Sequence, residues 1–230
     1  PVHLTFNSLY YRPEQYEEIA QLIQQCRSIG FDSYILADPA LLVYLRKEKI
    51  NCEVHLSGDL GTVNSAMTEV FAKEYPKRII FQRKNTISEM RAVIRHITAQ
   101  KEAARKEWTY PTEFEAFALN ELCQFSGAFC NSLHCDEMGY LCRVPSKLEK
   151  QEKNRPGENI SISEWDSASE LTNPVSEDGY LCGATGCGLC TLKQLSDAGI
   201  THLKLVGRGN YTDFMERDIR NLRRTLEILE

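Results

Sequence analysis

The chain has 230 residues, a formal net charge of −5, 42% hydrophobic residues and 26% charged residues, which is typical of one large or two small globular domains. The acidic balance disfavours a general nucleic-acid coat protein, which would neutralise phosphates with excess Lys and Arg, although a specific RNA substrate stays compatible with it. No apolar run approaches the roughly 18 residues of a membrane span, and no signal-peptide pattern opens the chain. We therefore expect no membrane span and a cytoplasmic location. Because the chain opens at Pro1 on an apolar run, we also expect its natural N-terminus to lie upstream.

Helical and extended patterns alternate along the chain. Apolar residues at helical spacing predict a helix over 13–30, with Pro13 near its start and Gly30 at its end. Further helices are predicted over 40–49, 64–75, 87–107 (with Ser88 as the N-cap) and 212–228. Six short apolar runs are predicted as strands: 2–7, 33–38, 53–57, 78–82, 113–119 and 202–207. This alternation predicts an α/β fold with a parallel sheet covered by helices.

Each predicted strand ends in a polar residue or a glycine. These strand ends are Asn7, Asp38, Ser57, Gln82 with Arg83, Asn120, and Gly207 with Arg208. Polar residues at the carboxyl ends of parallel strands mark the functional face of an α/β barrel or open α/β sheet. Strands also end in polar turns for purely structural reasons, so both interpretations stay open here.

The chain is predicted to divide into three parts. The first, 1–122, holds the βα units, and the last, 191–230, holds a closing βα unit. Between them, 123–190 is rich in cysteine and contains a polar excursion over 143–180 with scattered Pro and Gly.

Seven of the nine cysteines lie in this middle part. With no secretion signal and an odd total, they are more typical of metal binding or catalysis than of a disulfide framework. Cys26 and Cys52 stand apart and are expected to be buried or idle thiols. The spacing is not that of a zinc ribbon, and the single CxxC, Cys187 to Cys190, lies too late in the chain for a thioredoxin-type pair. Widely spaced thiolates favour an iron–sulfur cluster, with zinc as the alternative.

Three runs in this region carry a resemblance to a known family: LNELCQFSGAFC (119–130), GYLCR (139–143) and GLCTLKQLSDAGITHLKLVGRG (188–209). Together they resemble the signature of peptidase family U32, the collagenase-like family. The strand ends at Asn7, Asp38, His55 to Ser57 and Arg83 follow the same order as in that family. The resemblance implies four cluster ligands: Cys123, Cys130, Cys142 and Cys190. It leaves Cys135, Cys182 and Cys187 as extra thiols and alternative metal ligands.

The resemblance implies an incomplete or truncated TIM-like β/α barrel with a 4Fe–4S cluster. The implied function is oxygen-independent hydroxylation of an RNA base or a quinone-precursor ring, with a second protein of the same family as a further partner. The substrate cavity would be lined by Asn7, Asp38, Ser57, Arg83 and Arg208. No catalytic residue is assigned. A non-catalytic iron–sulfur or zinc scaffold and a collagenase-like peptidase are the alternatives.

The chain departs from the family pattern at two points. Leu119-Asn120-Glu121 stands where the family usually has His-Gly-Ala, and Val206 precedes Gly207-Arg208 where the family usually has Glu. Both departures bear on any activity that needs that His or that Glu.

Overall fold

The computed structural model describes residues 2–62, 64–74, 76–103, 113–119, 187–205 and 212–229. This part of the chain contains six strands, each inside one of the six predicted ranges. They are β1 (His3–Phe6), β2 (Ser33–Leu36), β3 (Glu53–Leu56), β4 (Arg78–Ile80), β5 (Glu113–Ala118) and β6 (His202–Leu205). All six strand predictions are confirmed. The polar excursion 143–180 and most of the cysteine-rich part lie outside the described residues.

The six strands form one sheet in which every pairing is parallel. Their order in space is their order along the chain, with β1 and β6 at the two edges. Sequential parallel pairing through helical crossovers is how the wall of a β/α barrel is built. The predicted α/β class is therefore confirmed, as a six-stranded half-barrel sheet.

The same described residues contain six α-helices. They are α1 (Gln15–Ser28), α2 (Pro39–Lys47), α3 (Ser65–Ala72), α4 (Ile87–Ala103), α5 (Leu192–Ala198) and α6 (Thr212–Leu229). Five of them had been predicted, whereas the two-turn helix α5 had not. Among the helices of the described residues, none combines the length and apolar character needed to cross a bilayer.

The N-terminus of α4 differs from the prediction. The Thr86 hydroxyl accepts a hydrogen bond from the Glu89 backbone N–H at 3.1 Å, and the Glu89 carboxylate accepts one from the Thr86 N–H at 2.8 Å. This reciprocal pair is a capping box, which satisfies two of the helix's unpaired N–H groups. The N-cap is therefore Thr86, and the assignment of Ser88 was wrong because Ser88 already lies in the first turn.

The two faces of the sheet have opposite character. Alternate strand residues such as Tyr34, Leu36, Val54 and Ile79 are fully buried in one apolar core, together with helix residues such as Leu41. The intervening residues form the second face, where cross-strand register aligns polar side chains. Two rows of Cα partners result: His3–Ser33–Glu53, and His55–Arg78–Glu113. Because parallel strands are usually apolar on both faces, a charged second face is a distinctive feature of this half-barrel.

Candidate functional site

Polar residues follow the strands at the carboxyl-terminal edge of the sheet, as predicted. Asn7 follows β1, Asp38 follows β2, Ser57 follows β3 and Arg83 follows β4. The fifth predicted substrate contact, Arg208, lies outside the described residues. So do Cys123, Cys130, Cys135, Cys142 and Cys182.

Asn7 and Ser57 are linked through Asp59, a residue that the sequence had not singled out. The Asn7 side-chain amide donates to an Asp59 carboxylate oxygen at 2.6 Å. The Ser57 hydroxyl accepts a hydrogen bond from the Asp59 backbone N–H at 3.2 Å and thereby caps the 3-10 turn Gly58–Leu60. This turn joins the ends of β1 and β3, through two residues, Asn7 and Asp59, that are 52 positions apart in the chain.

Asp38 is buried, with 3% of its surface exposed, and it holds the backbone around it together. One carboxylate oxygen accepts from the Ala40 N–H at 2.8 Å and caps α2. The other accepts from the Tyr11 N–H at 3.1 Å and the Tyr16 hydroxyl at 2.9 Å. Burial raises the pKa of Tyr16, and the hydrogen bond to Asp38 raises it further. Protein donors therefore occupy both oxygens, and a substrate contact by Asp38 stays a prediction.

Two cations share one aromatic ring at the carboxyl end of β5. The Arg83 guanidinium carbon lies 3.9 Å from the centroid of the Phe117 ring, and the Lys204 ammonium lies 5.4 Å from it. Lys204 is the register partner of Phe117 on β6. A cation over an aromatic face is attracted by the ring quadrupole, so Phe117 positions both charges at this edge.

Gly58 allows the 3-10 turn to approach this ring. A β-carbon at Gly58 would lie 3.1 Å from Phe117 Cε2 and 3.0 Å from the Phe81 carbonyl oxygen. Glycine is therefore needed here for close approach, as it is wherever backbone meets a packed side chain.

Gln82 places a buried acceptor next to Arg83. Gln82 is 6% exposed, and its amide oxygen has no hydrogen-bond partner among the residues that the structure describes. A buried acceptor without a donor is costly. Because the oxygen itself is closed off from solvent, a bound molecule would reach it only if the Gln82 side chain moved.

The CxxC segment lies at the same edge of the sheet. The Leu119 N–H, one residue past β5, donates to the Cys187 carbonyl oxygen at 2.9 Å. Cys187 is half-buried, and Cys190 is exposed on the 3-10 turn Leu189–Thr191. Gly188 begins that turn in the left-handed region (φ 73°), and its carbonyl accepts from the Thr191 hydroxyl at 2.9 Å.

A second polar cluster occupies the charged face near the amino ends of the strands. Arg78 donates to Glu113 and, through Nη1 at 2.7 Å, to Glu115. The Lys77 ammonium lies 3.0 Å from Glu113. Burial alone would raise the pKa of Glu113, but the hydrogen bonds from Arg78 and Lys77 outweigh it and hold that pKa below its usual range.

Next to this ion-pair network, His3, Glu53 and His55 converge from β1 and β3. His55 Nε2 lies 2.9 Å from Glu53 Oε1, and the two imidazole centroids are 4.7 Å apart. Burial lowers the pKa of His55 despite its hydrogen bond to Glu53. Burial would raise the pKa of Glu53, yet hydrogen bonds from Ser33 and His55 bring it below its ordinary value. A neutral imidazole beside a carboxylate results.

The comparison with protein families agrees with this architecture. The model of peptidase family U32 matches residues 1–229. The chain belongs to peptidase family U32. No curated protein and no solved structure gives a significant match to it.

Membership of the U32 family confirms the resemblance inferred from the three cysteine-containing runs. The half-barrel places Asn7, Asp38, Ser57 and Arg83 of this U32 chain at one edge of the sheet, together with Cys187 and Cys190. It adds Asp59, Phe117 and Lys204, which the strand-end pattern alone had not selected.

The U32 chain also carries Glu53, Arg78, Glu113 and Glu115 on its charged face, and sequence reasoning missed them as a group. The signal was present in EFEAFA (113–118), where charged and apolar residues alternate with the period of a strand. That alternation distinguishes a strand with one polar face from one buried on both.

Proposed function

We propose that this U32 chain is an iron–sulfur protein that takes part in oxygen-independent hydroxylation of an RNA base or a quinone-precursor ring. A 4Fe–4S cluster would lie at the carboxyl edge of the half-barrel. Its ligands would be Cys123, Cys130, Cys142 and Cys190. The observation that carries the proposal is the hydrogen bond from Leu119 to Cys187, because it joins the late CxxC segment to the end of β5.

The donor set fits such a cluster. Cys123 is the fourth residue after Leu119 in the sequence, and four residues of chain span at most about 14 Å. Cys190 is exposed and lies on the 3-10 turn Leu189–Thr191. This turn follows directly after Cys187, whose carbonyl oxygen is hydrogen-bonded to Leu119. Thiolates are the ligands that iron–sulfur clusters take, and widely spaced cysteines that converge on one point are typical of such sites.

The remaining residues at this edge suit an anionic substrate. When bound, a 4Fe–4S cluster supplies electron transfer. Arg83 offers a planar guanidinium that forks onto carboxylate or phosphate, and Phe117 holds it beside Lys204. Gln82 follows the same strand, but its amide oxygen is closed off from solvent, so it would contact a substrate only if its side chain moved. Phosphates in RNA and a carboxylate on a quinone-precursor ring are both within this chemistry.

The first experiment measures iron, acid-labile sulfide and the visible spectrum of anaerobically purified protein. We expect about four iron and four sulfide per chain, lost in Cys190→Ala. Cys26→Ala is the matched control, because Cys26 lies on α1 within the half-barrel, and it should keep the cluster. If Cys187→Ala loses the cluster and Cys190→Ala keeps it, the ligand assignment moves to Cys187. If the purified protein contained zinc, or no metal at all, the assignment of an iron–sulfur cluster would be overturned.

The second experiment tests the reaction. RNA and quinones from a strain that lacks the protein are compared by mass spectrometry with those from the complemented strain. A missing hydroxyl group, restored by wild type and not by Cys190→Ala, supports the proposal. An intact cluster with unchanged RNA and quinones would favour a non-catalytic scaffold. Peptide cleavage that survives metal removal would favour a peptidase.

A further inference from the structure

Three potential metal ligands meet on the charged face of the sheet, away from the cysteines. One ring nitrogen each of His3 and His55 and one carboxylate oxygen of Glu53 all lie within 4.8 Å of one another. We propose that these residues form a binding site for a divalent transition-metal ion of the Zn²⁺ type. This site is independent of the proposed iron–sulfur function.

Strand register brings the three side chains together. His3 begins β1, and its register partner on β2 is Ser33, whose own partner on β3 is Glu53. The short Ser33 side chain lies between the two longer ones and leaves room for them to converge above it. Its hydroxyl donates to Glu53 Oε1 at 2.9 Å and orients that carboxylate. An outer hydrogen bond to a ligand is a regular feature of protein metal sites.

Two acceptor atoms of these residues are not used by hydrogen bonds within the described part of the chain. His3 Nδ1 is shielded from solvent and makes no hydrogen bond to any residue that the structure describes. Both hydrogen bonds to the Glu53 carboxylate, from Ser33 and His55, go to Oε1. A ring nitrogen enclosed without a donor is costly unless something else occupies its lone pair or its proton. A metal ion bound by His3, Glu53 and His55 would provide that partner.

The charge balance of this face favours a cation. Glu53, Glu113 and Glu115 supply three negative charges, whereas Lys77 and Arg78 supply two positive ones. The ion pairs of Lys77 and Arg78 go to Glu113 and Glu115. Glu53 makes its ion-pair contact within the cluster, with His55. Among these three carboxylates, Glu53 is therefore the one that neither Lys77 nor Arg78 contacts.

The site is open enough to exchange an ion and lies apart from the cysteines. His55 is closed off, but the Glu53 side chain is 39% exposed, so an ion could enter past it. His3 and Glu53 are the first residues of their strands, whereas Cys187 and Cys190 lie beyond the carboxyl ends. At about 3.3 Å per residue, a strand of four residues separates the two edges by roughly 13 Å.

The ligand types identify the class of ion. Two imidazoles and one carboxylate suit Zn²⁺ and neighbouring transition ions, and they do not suit Ca²⁺ or Mg²⁺, which prefer oxygen. Three protein ligands also leave coordination positions for water, as in zinc sites that are not purely structural.

Cobalt distinguishes this site from the cysteines. Thiolates give bound Co²⁺ intense near-ultraviolet charge-transfer bands, whereas nitrogen and oxygen ligands give only weak visible bands. The full-length chain, purified without oxygen and freed of loosely bound metal, is titrated with Co²⁺. We expect the weak visible bands to reach full intensity when one equivalent of Co²⁺ per chain has bound.

Matched variants test the assignment. His3→Gln and Glu53→Gln should weaken this binding by more than about 100-fold, and Ser33→Ala by about 10-fold. Neither His3 nor Glu53 is fully buried, so both variants should fold, which circular dichroism checks. His202→Gln is the control, because His202 lies on the same face outside the cluster, and it should bind like wild type. Visible bands that are missing in wild type, or unchanged in His3→Gln and Glu53→Gln, would overturn the proposal.

Discussion

Arg78 places two donors on a single carboxylate oxygen of Glu113, Nε at 3.0 Å and Nη2 at 2.8 Å. Its third donor, Nη1, reaches Glu115 on the same strand. Glu113 and Glu115 lie on one face of β5, and Arg78 begins the neighbouring strand β4. One guanidinium therefore bridges two carboxylates that would otherwise repel each other. This contact makes the charged face of the half-barrel compatible with a folded sheet.

Arg78→Lys should destabilise the fold. A lysine offers a point charge in place of the fork, so at least two of the three hydrogen bonds are lost. Hydrogen bonds to charged groups are each worth about 1.5–3 kcal/mol, and the Arg78 side chain is only 15% exposed. We expect the free energy of unfolding in urea to fall by about 2–4 kcal/mol.

Lys193→Gln is the control for this prediction. Lys193 pairs with Asp197 at 3.0 Å, but its side chain is 69% exposed. Exposed pairs of this kind contribute at most about 1 kcal/mol and commonly much less. If Arg78→Lys were as stable as Lys193→Gln, the network around Arg78 would not hold the sheet together.

Glu113 should make stability depend on pH in the acid range. Its folded-state pKa lies below the ordinary value of about 4.3, because the bonds from Arg78 and Lys77 outweigh its burial. The stabilisation is therefore complete above about pH 4.3 and is lost as the pH falls through the folded pKa. Between about pH 5 and pH 3, wild type should lose more stability than Glu113→Gln.

The measurement is the free energy of unfolding in urea as a function of pH. Lys193→Gln also changes the net charge by one unit, and it should retain the wild-type pH dependence. Parallel pH curves for wild type and Glu113→Gln would show that the Glu113 contacts do not favour its ionised form.

The strand positions could be predicted because each strand is a short apolar run between helical patterns, as in SYIL (33–36). The residues that meet in the two polar sites could not be predicted from local sequence patterns alone. Asn7 meets Asp59, and His3 meets His55, only because register aligns β1, β2 and β3. Those partners are more than 50 residues apart, and no local rule specifies which of them meet.

The sequence prediction was wrong about the N-cap of α4 and missed helix α5. In α4 the Thr86-to-Glu89 spacing is the sequence signature of a capping box, but Ser88 lay closer to the predicted start. Helix α5 has only seven residues, too few for a 3.6-residue period to stand out. Its boundary is instead set by Gly199, which ends the helix with a left-handed φ of 99°.

Asp38 should prove to be a structural residue in a stability test. Asp38→Ala removes the acceptor for three donors, the N–H groups of Tyr11 and Ala40 and the Tyr16 hydroxyl. We expect the free energy of unfolding to fall by about 2–3 kcal/mol. Asp38→Asn keeps a carbonyl oxygen for the cap of α2 and should lose less.

The control is Asp197→Ala, whose side chain is exposed and whose stability should change by no more than about 0.5 kcal/mol. Asp38→Ala with the stability of wild type would mean that these bonds are dispensable, and it would favour the predicted contact with substrate.

The cap of α4 can be tested by two neighbouring substitutions. Thr86→Ala removes the hydroxyl that accepts from Glu89 and should cost about 1 kcal/mol of stability. Ser88→Ala removes a hydroxyl in the first turn of the same helix and should cost less than about 0.5 kcal/mol. Chemical denaturation measures both. The reverse ranking would restore Ser88 as the N-cap.

Substitutions at Gly30 and Gly199 distinguish the cost of backbone strain from the cost of side-chain crowding. Gly30 and Gly199 share a φ of 99°, but a β-carbon at Gly30 would meet nothing within 4 Å, whereas one at Gly199 would lie 3.0 Å from Ile94 Cγ2. Alanine at either position incurs about 1–2 kcal/mol of left-handed strain. Gly199→Ala should incur about 1–3 kcal/mol more, because Ile94 is packed between α4 and α5 and must shift.

A double-mutant cycle with Ile94→Leu tests the source of that difference. Leucine keeps the volume of Ile94 but has no methyl group on its β-carbon, so it removes the atom that the new side chain would strike. The penalty of Gly199→Ala should therefore be smaller in the Ile94→Leu background, whereas the penalty of Gly30→Ala should be the same in both. Equal penalties for the two glycines in the wild-type background would mean that α5 moves away from α4 without cost.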